Sequence, residues 1–314
     1  MRTLVLGAGA TGGFFGGRML QAGRDVTFMV RPARAAALAR TGLVIRGPSG
    51  EVTIPNPPTV TAASPGGGYD VVILGCKAYD LDPAMNDLAG AIAPQTAILP
   101  VLNGMRHLDA LIARFGDDRV IGGLCQIAAT LTPDGAIVQM GDMKANLVFG
   151  ERAGGMSERV RSIAEEMQGA DFASRASDNI LQEMWEKWVL LATLGGATCL
   201  MRATVGDIVL AGAADITLGL LDECVAIATE SGFPPREERL KHNRMFLAAS
   251  GSPMTASMMR DIEAGNRIEA DHILGDLLAR KPGGAGGEGD RSLLRIAYAH
   301  TRAYEARRAR EGWR

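Results

Sequence analysis

The chain of 314 residues has little of several things. It holds four cysteines, Cys76, Cys125, Cys199 and Cys224, and no two of them form a C-x-x-C pair. That excludes a disulfide framework and a zinc-ribbon spacing, and it fits a reducing cytoplasm. Its four histidines do not lie at metal-ligand spacing, so no metal site is expected. No apolar run approaches the ~18 residues of a membrane span. Glycines at 7, 9, 12, 13, 16 and 17 cut the N-terminal apolar stretch too often for a signal-peptide core. Charge of one sign is also missing: Lys+Arg 33 against Asp+Glu 35 leaves a net −2. Bulk nucleic-acid binding, which needs a basic surface, is therefore excluded as an expectation.

Glycine, by contrast, is abundant. Its 40 residues are about 13% of the chain, against a usual ~7%. Glycine and proline together, 54 of 314, stay near 17%, below the ~25–30% of low-complexity chains. The glycines are thus expected at particular turns and close contacts. With 47% hydrophobic residues the chain is long enough for about two folded domains.

Residues 3–7 read as a short buried strand, followed by a glycine-dense turn, a helix stopped at Gly23 and a second strand at 26–30. This is a β-α-β opening with parallel strands. A hairpin is expected from 43–45 and 52–54, core strands at 70–75 and 97–102, a helix at 81–92, and antiparallel strands within 120–150. From Asn179 onward the patterns are helical: 179–201, 204–231, 235–249, 253–280 and 290–311. Ser252-Pro253 reads as an N-cap with proline at the first helical position, and 282–289 as a glycine-rich loop. The fold class is α/β, a Rossmann-type doubly wound domain at 1–176 with an all-helical domain at 177–314.

Gly7-Ala8-Gly9-Ala10-Thr11-Gly12 is G-x-G-x-x-G, placed after a strand and opening a helix, which makes it a dinucleotide-binding turn. Gly7 permits the tight turn, Gly9 the approach of a pyrophosphate to the helix N-terminus, and Gly12 close helix–strand packing. The second strand ends in Val30-Arg31-Pro32, with Arg34 close behind, where an NAD site carries an acid. A guanidinium there suits a 2′-phosphate and points to NADP; a surface arginine is the plain alternative. Lys77 and Asn103 follow core strands, where open α/β sheets bind ligands, or are an ordinary surface lysine and a turn.

In the helical half, Lys187 sits among apolar residues and shares a face with Leu191 and Gly195. It is either a lysine reaching for solvent beside Glu183 or a partly desolvated proton donor. Ser257, Asp261 and Glu269 fall within one broad side of the expected helix 253–280, as solvent-facing polar groups or as substrate contacts.

Together these motifs resemble the ketopantoate reductase family over residues 1–280: GAGATG at 7–12, Arg31, CKA at 76–78, NGM at 103–105, Trp185-x-Lys187, and Ser257-Met258-x-x-Asp261 with Ile268-Glu269 downstream. The resemblance implies NADPH-dependent reduction of a small-molecule 2-oxo acid. It assigns Arg31 and Lys77 to NADPH, Asn103 to nicotinamide and substrate, Lys187 to general-acid catalysis, Glu269 to orienting the substrate and Ser257 to contacting it. A homodimer is compatible with this plan. The chain departs from the family at three positions: the asparagines usual four and eight residues after the lysine are Leu191 and Gly195, and another is Val205. Ketopantoate is then expected to be a poor substrate, with Leu191 apolar, Gly195 opening space for a bulkier tail and Arg202 a candidate compensator. Another two-domain dehydrogenase, of 3-hydroxy acid or glycerol-phosphate type, and a silent NADP-binding sensor are the alternatives.

Overall fold

The computed structural model describes residues 1–141, 143–281, 283–284 and 291–312. Apart from Gly283 and Gly284, the loop expected at 282–289 lies outside the described residues. The chain separates into two compact units, Met1–Leu102 with His107–Leu181, and Asn103–Arg106 with Gln182–Arg314. The sequence reading divides the chain between 176 and 177. The short turn Asn103–Arg106 packs with the second unit, which no composition shift announces.

The first unit is built on a parallel sheet. β1 (Arg2–Leu6), β2 (Asp25–Met29), β5 (Thr59–Val60), β6 (Val71–Leu74) and β7 (Ala97–Pro100) lie in the order β5-β2-β1-β6-β7. Helices α1 (Ala10–Gln21), α2 (Pro32–Thr41), α3 (Leu81–Leu88), α4 (Arg106–Phe115) and α5 (Glu158–Glu166) intervene in sequence. β1, β6 and β7 read as near-continuous apolar runs because their residues are buried on both faces. The expected hairpin is β3 (Leu43–Gly47) with β4 (Gly50–Ile54). β8 (Gly122–Gln126) pairs antiparallel with β11 (Asn146–Gly150), and β9 (Ala129–Leu131) with β10 (Ile137–Gln139). Two parallel pairings, β10 with β3 and β11 with β12 (Ala173–Ala176), join distant segments. Helix α1 lies close to its neighbours because it lacks side chains there. A Cβ at Gly16 would stand 2.7 Å from a ring carbon of Phe28, and one at Gly17 would stand 2.6 Å from the Ile45 methyl.

The second unit is helical: α6 (Ile180–Met201), α7 (Val205–Leu210), α8 (Ala214–Glu230), α9 (Glu237–Leu247), α10 (Ser257–Glu263), a π turn at Asp271–Gly275 running into α11 (Asp276–Ala279), and α12 (Leu293–Glu311). Two expected helices are broken. Residues 204–231 divide at Gly212, whose φ of 76° ends α7. Residues 253–280 are not one helix. Ser252 and Met254 accept the amides of Gly206 and Val205 at 2.9 and 3.0 Å, so this stretch caps α7 instead of starting a helix. Ser252-Pro253 is therefore not a helix start, and α10 begins at Ser257 with Ala256 as its N-cap. It ends in a Schellman motif. Gly265, at φ 72°, donates to Ile262, and Asn266 donates to Asp261 at 2.8 Å. Residues 266–269 are non-helical, so Ser257 and Asp261 do not share a helix with Glu269.

Next to Lys187, Glu186 is 2% exposed. Its carboxylate accepts the Arg236 amide, Nε and Nη2 at 2.9, 2.8 and 2.5 Å, and Gln182 Nε2 at 3.3 Å. Burial pushes its pKa up, but the Arg236 and Gln182 hydrogen bonds outweigh burial and hold it below the usual carboxylate range. A depressed folded-state pKa contributes stability above the unfolded value that is lost as pH falls through the folded one. Arg236→Ala is expected to cost about 2 kcal/mol at pH 7. That gap should close as pH falls below the ordinary carboxylate range, which urea unfolding across a pH series measures.

Candidate active site

In the first unit, Leu6 of β1 pairs with Met29 of β2 and Leu74 of β6. The glycine turn, Arg31 and Lys77 follow these three strand ends, so the topology gathers them at the carboxyl edge of one parallel sheet, where such sheets take ligands. Gly7 adopts φ 86° and donates its amide to Met29 at 2.9 Å. Gly9 is the N-cap of α1 and supplies no side-chain cap. A Cβ on Gly9 would meet no protein atom within 4 Å, whereas one on Gly12 would lie 2.5 Å from the Gly7 carbonyl. Gly12 is thus small for the protein's own packing, and Gly9 borders open space in front of a helix N-terminus. That space, with amides and a positive dipole end behind it, fits a pyrophosphate. Gly75, which the sequence reading left without a role, lets the end of β6 close on the same turn: a Cβ there would stand 3.2 Å from the Gly12 amide.

Arg31 is the exposed N-cap residue of α2. Arg34 does something other than expected. Its Nε and Nη2 donate to the Ala8 carbonyl at 3.2 and 2.9 Å, and Nη2 also reaches Gly135 at 3.1 Å. It braces the glycine turn instead of standing ready for a 2′-phosphate, because a carbonyl in that tight turn needs a donor that the helix does not supply. Lys77 is exposed, at the start of the short 3-10 helix Ala78–Asp80.

In the second unit, Lys187 Nζ donates to Asn103 Oδ1 at 2.9 Å, with both residues half-buried. Gly104 makes this approach sterically feasible: at φ 77°, a Cβ there would lie 2.8 Å from the His272 carbonyl and 3.0 Å from its ring. His272 is buried, and the Asn103 backbone hydrogen-bonds its imidazole. Burial first, then Arg106 and Arg280, lower its pKa against the opposing pull of Asp276 and Asn103, so the ring is neutral at pH 7. Nothing in the sequence distinguishes His272 from an ordinary core histidine. Trp188 Nε1 donates to the Ile273 carbonyl at 2.9 Å and ties α6 to the π turn.

Leu191 is half-buried and Gly195 buried, one and two turns beyond Lys187. The space at Gly195 is not open. The Met258 methyl stands 3.1 Å from where its Cβ would be, so a thioether fills the place of a side chain. Val205 is buried at the start of α7. Ser257 is exposed at the first position of α10, and Glu269 is half-buried in the non-helical stretch after it. Arg202 does not replace the missing asparagines, because its Nε and Nη2 fork Glu263 Oε1 at 2.9 and 2.5 Å. Burial pushes the thiols of Cys199 and Cys224 up to about 12, which removes them as nucleophiles.

Among the described residues no helix is long and apolar enough to cross a membrane. The second unit carries an ammonium held by a carboxamide, and the first carries a glycine turn that opens a helix at the carboxyl edge of a parallel sheet, as nucleotide-binding units do.

Comparison with known proteins agrees. The family model "Ketopantoate reductase PanE/ApbA" matches residues 3–154, and "Ketopantoate reductase PanE/ApbA C terminal" matches 179–285. The Bacillus subtilis (strain 168) protein "Uncharacterized oxidoreductase YkpB" is 34% identical, covering 98% of this chain and 99% of that one. The crystal structure of 2-dehydropantoate 2-reductase from Methylococcus capsulatus superposes with a TM-score of 0.86 at 28% identity, covering 98% of each chain. A D-mandelate dehydrogenase in ternary complex with NADH and anilino(oxo)acetate shares the fold, with a TM-score of 0.85 at 20% identity over 98% of this chain and 100% of that one. The chain belongs to the ketopantoate reductase family and is an oxidoreductase of that family.

The two glycines of the turn separate packing from binding. Gly12→Ala forces a backbone shift and is expected to cost about 1–3 kcal/mol of stability. Gly9→Ala is expected to cost less than about 1 kcal/mol, the range of a poorer N-cap, yet to weaken dinucleotide binding more than Gly12→Ala weakens it in the fraction that stays folded. Thermal unfolding paired with calorimetric titration of the dinucleotide reads both.

Proposed function

We propose that the protein reduces a 2-oxo acid to the 2-hydroxy acid with NADPH. The observation that carries this reading is the 2.9 Å hydrogen bond from Lys187 to Asn103, which holds an ammonium at a defined point of a half-buried surface. Gly7, Ala8, Gly9, Ala10, Thr11 and Gly12 would hold the pyrophosphate of the cofactor, Arg31 its 2′-phosphate, and Lys77 and Asn103 its remaining polar groups. When bound, NADPH supplies a hydride to the carbonyl carbon. Lys187 gives its proton to the carbonyl oxygen as negative charge develops there, and regains one from solvent. Asn103 fixes the direction of the ammonium, Glu269 orients the substrate, and Ser257 contacts it. A positioned general acid contributes roughly 10²–10⁴-fold.

Leu191, Gly195 and the Met258 methyl over it support a substrate with a less polar tail than ketopantoate. A buried hydroxyl that loses its partner costs about 1–3 kcal/mol, and carboxamides are absent at 191, 195 and 205. The D-mandelate dehydrogenase of the same fold, with NADH and anilino(oxo)acetate, makes an aryl tail and NADH informative comparisons. Four free cysteines support a reducing, cytoplasmic setting.

The test is a panel of 2-oxo acids, ketopantoate included, assayed with NADPH and NADH. Turnover of an alkyl or aryl 2-oxo acid above ketopantoate is expected. An efficiency for ketopantoate near 10⁵ M⁻¹s⁻¹, within the ordinary enzyme range and above every other acid, would overturn the apolar-tail reading. Tight NADPH binding with no turnover would favour a sensor.

Lys187→Ala is expected to lower kcat at least about a hundredfold, the lower bound for a positioned general acid, and to leave NADPH affinity within about twofold. Retention of a tenth of the activity in steady-state assays would return the lysine to a packing role. Arg31→Asp is expected to remove most of the preference for NADPH over NADH, because the carboxylate repels a 2′-phosphate and accepts from a ribose hydroxyl. The ratio of kcat/KM for the two cofactors measures it.

A further inference from the structure

Residues 265–269 connect α10 to the π turn and share helical hydrogen bonds only at their two ends, and α12 supplies partners for the groups between. Arg308 Nε donates to the Gly265 carbonyl at 2.8 Å, and Tyr304 donates its hydroxyl to the Asn266 carbonyl at 2.8 Å. Glu305 Oε1 accepts the Ile268 amide at 2.7 Å. At the far end, the Tyr298 hydroxyl donates to Asp271 Oδ1 at 2.7 Å, and Arg302 pairs with the same carboxylate at 2.9 Å. Four of these five side chains, at 298, 302, 305 and 308, follow one stripe of α12 at spacings of three and four residues, and Tyr304 stands beside it.

Glu269 is inside this grip. The residue before it is fixed through its amide by a carboxylate, and the Ile268 side chain is buried. Its own carbonyl accepts the amides of His272 and Ile273 at 3.1 and 2.9 Å. The backbone of Glu269 is therefore held on the N-terminal side by α12 and on the C-terminal side by the π turn. A non-helical stretch of this length is ordinarily mobile, since its polar groups satisfy themselves with water. Here a charged acceptor, stronger than a neutral one, holds the peptide adjacent to the carboxylate.

We infer that Glu305 is a positioning residue for Glu269, acting through the Ile268 amide. The inference rests on the proposed reaction for its catalytic consequence, although the grip itself can be read without substrate. A stripe on α12 that served only packing needs no polar group at 305. A carboxylate accepting one particular amide beside Glu269 sets the geometry of that residue.

Five variants test it: Glu305→Ala, Glu305→Gln, which keeps an acceptor oxygen, Glu269→Gln, and Glu269→Gln combined with each of the first two. Hydrogen exchange of the peptide spanning 265–271, without substrate, should rise at least about tenfold in Glu305→Ala and return close to the parent rate in Glu305→Gln. With the best 2-oxo acid, Glu305→Ala should lower kcat/KM about tenfold in the parent and less than about twofold in the Glu269→Gln background, because the two residues act as one unit. NADPH affinity should not change. Unchanged exchange, or an equal loss of kcat/KM in both backgrounds, overturns the inference. If Glu305→Ala does not fold, Tyr304→Phe, which releases the Asn266 carbonyl in the same segment, carries the same cycle. If the unmodified protein binds NADPH and reduces no 2-oxo acid, the proposed reaction falls and Glu269 loses its catalytic assignment; the exchange result still decides by itself whether α12 grips the segment.

Discussion

The half-buried ammonium of Lys187 fixes where its neighbours must stand. The carboxamide of Asn103 holds it through an oxygen that carries no net charge. The negative charge next along the chain, Glu186, is taken up by Arg236 from the other side of α6. Asn103 can reach the lysine because Gly104 leaves room for His272, and the π turn bearing His272 is anchored by Trp188 from the same helix as the lysine. Around Lys187 the second unit is thus a set of fixtures for a single ammonium.

Much of this was legible in the chain, for a physical reason. Gly7 reports a backbone shape that other residues resist, Gly9 and Gly12 report places without room or use for a side chain, and a lysine amid Met184, Trp185 and Trp188 breaks an apolar pattern. The paired strands 43–47 and 50–54 announce themselves through a local turn. Less visible was whatever depends on partners distant in sequence. The 3.6-residue rhythm of apolar residues continues from 253 to 280 although the backbone leaves the helix at Gly265, since residues on both sides of the break still bury one face. Proline after serine at 253 resembles a helix start, but the carbonyls of 252 and 254 are engaged by the amides of α7. Arg34 and Arg202 look equivalent to any exposed arginine until the structure shows their acceptors, Ala8 and Gly135 for the one and Glu263 for the other. His272 carries no signal because a buried neutral histidine and a core residue share the same pattern.

The wall beyond the lysine illustrates how losing a polar side chain differs from creating a void. Removing a side chain at 195 would leave a cavity if its surroundings stayed rigid, and cavities in protein interiors cost stability. Methionine is the residue best able to prevent this, being unbranched, polarisable and able to change rotamer. Met258 occupies the space at Gly195, so the interior stays filled while the surface changes from hydrogen-bonding to apolar. In the proposed function such a wall would tolerate substrates of somewhat different shape, because its one long side chain can adjust to them.

The two arginines behind β2 divide one task. Arg34 is spent on the carbonyls of Ala8 and Gly135 and keeps the glycine turn in shape, while Arg31, three residues earlier, stays exposed at the N-cap of α2. The bracing arginine and the exposed one are therefore separate side chains on the same short stretch. In the proposed function, exchange at position 31 would alter which ribose substituent is welcomed while leaving the Arg34 bonds to the glycine turn in place. Under that reading, descendants of this chain would drift between redox pools by substitution at one exposed position, with the bracing of the turn left untouched.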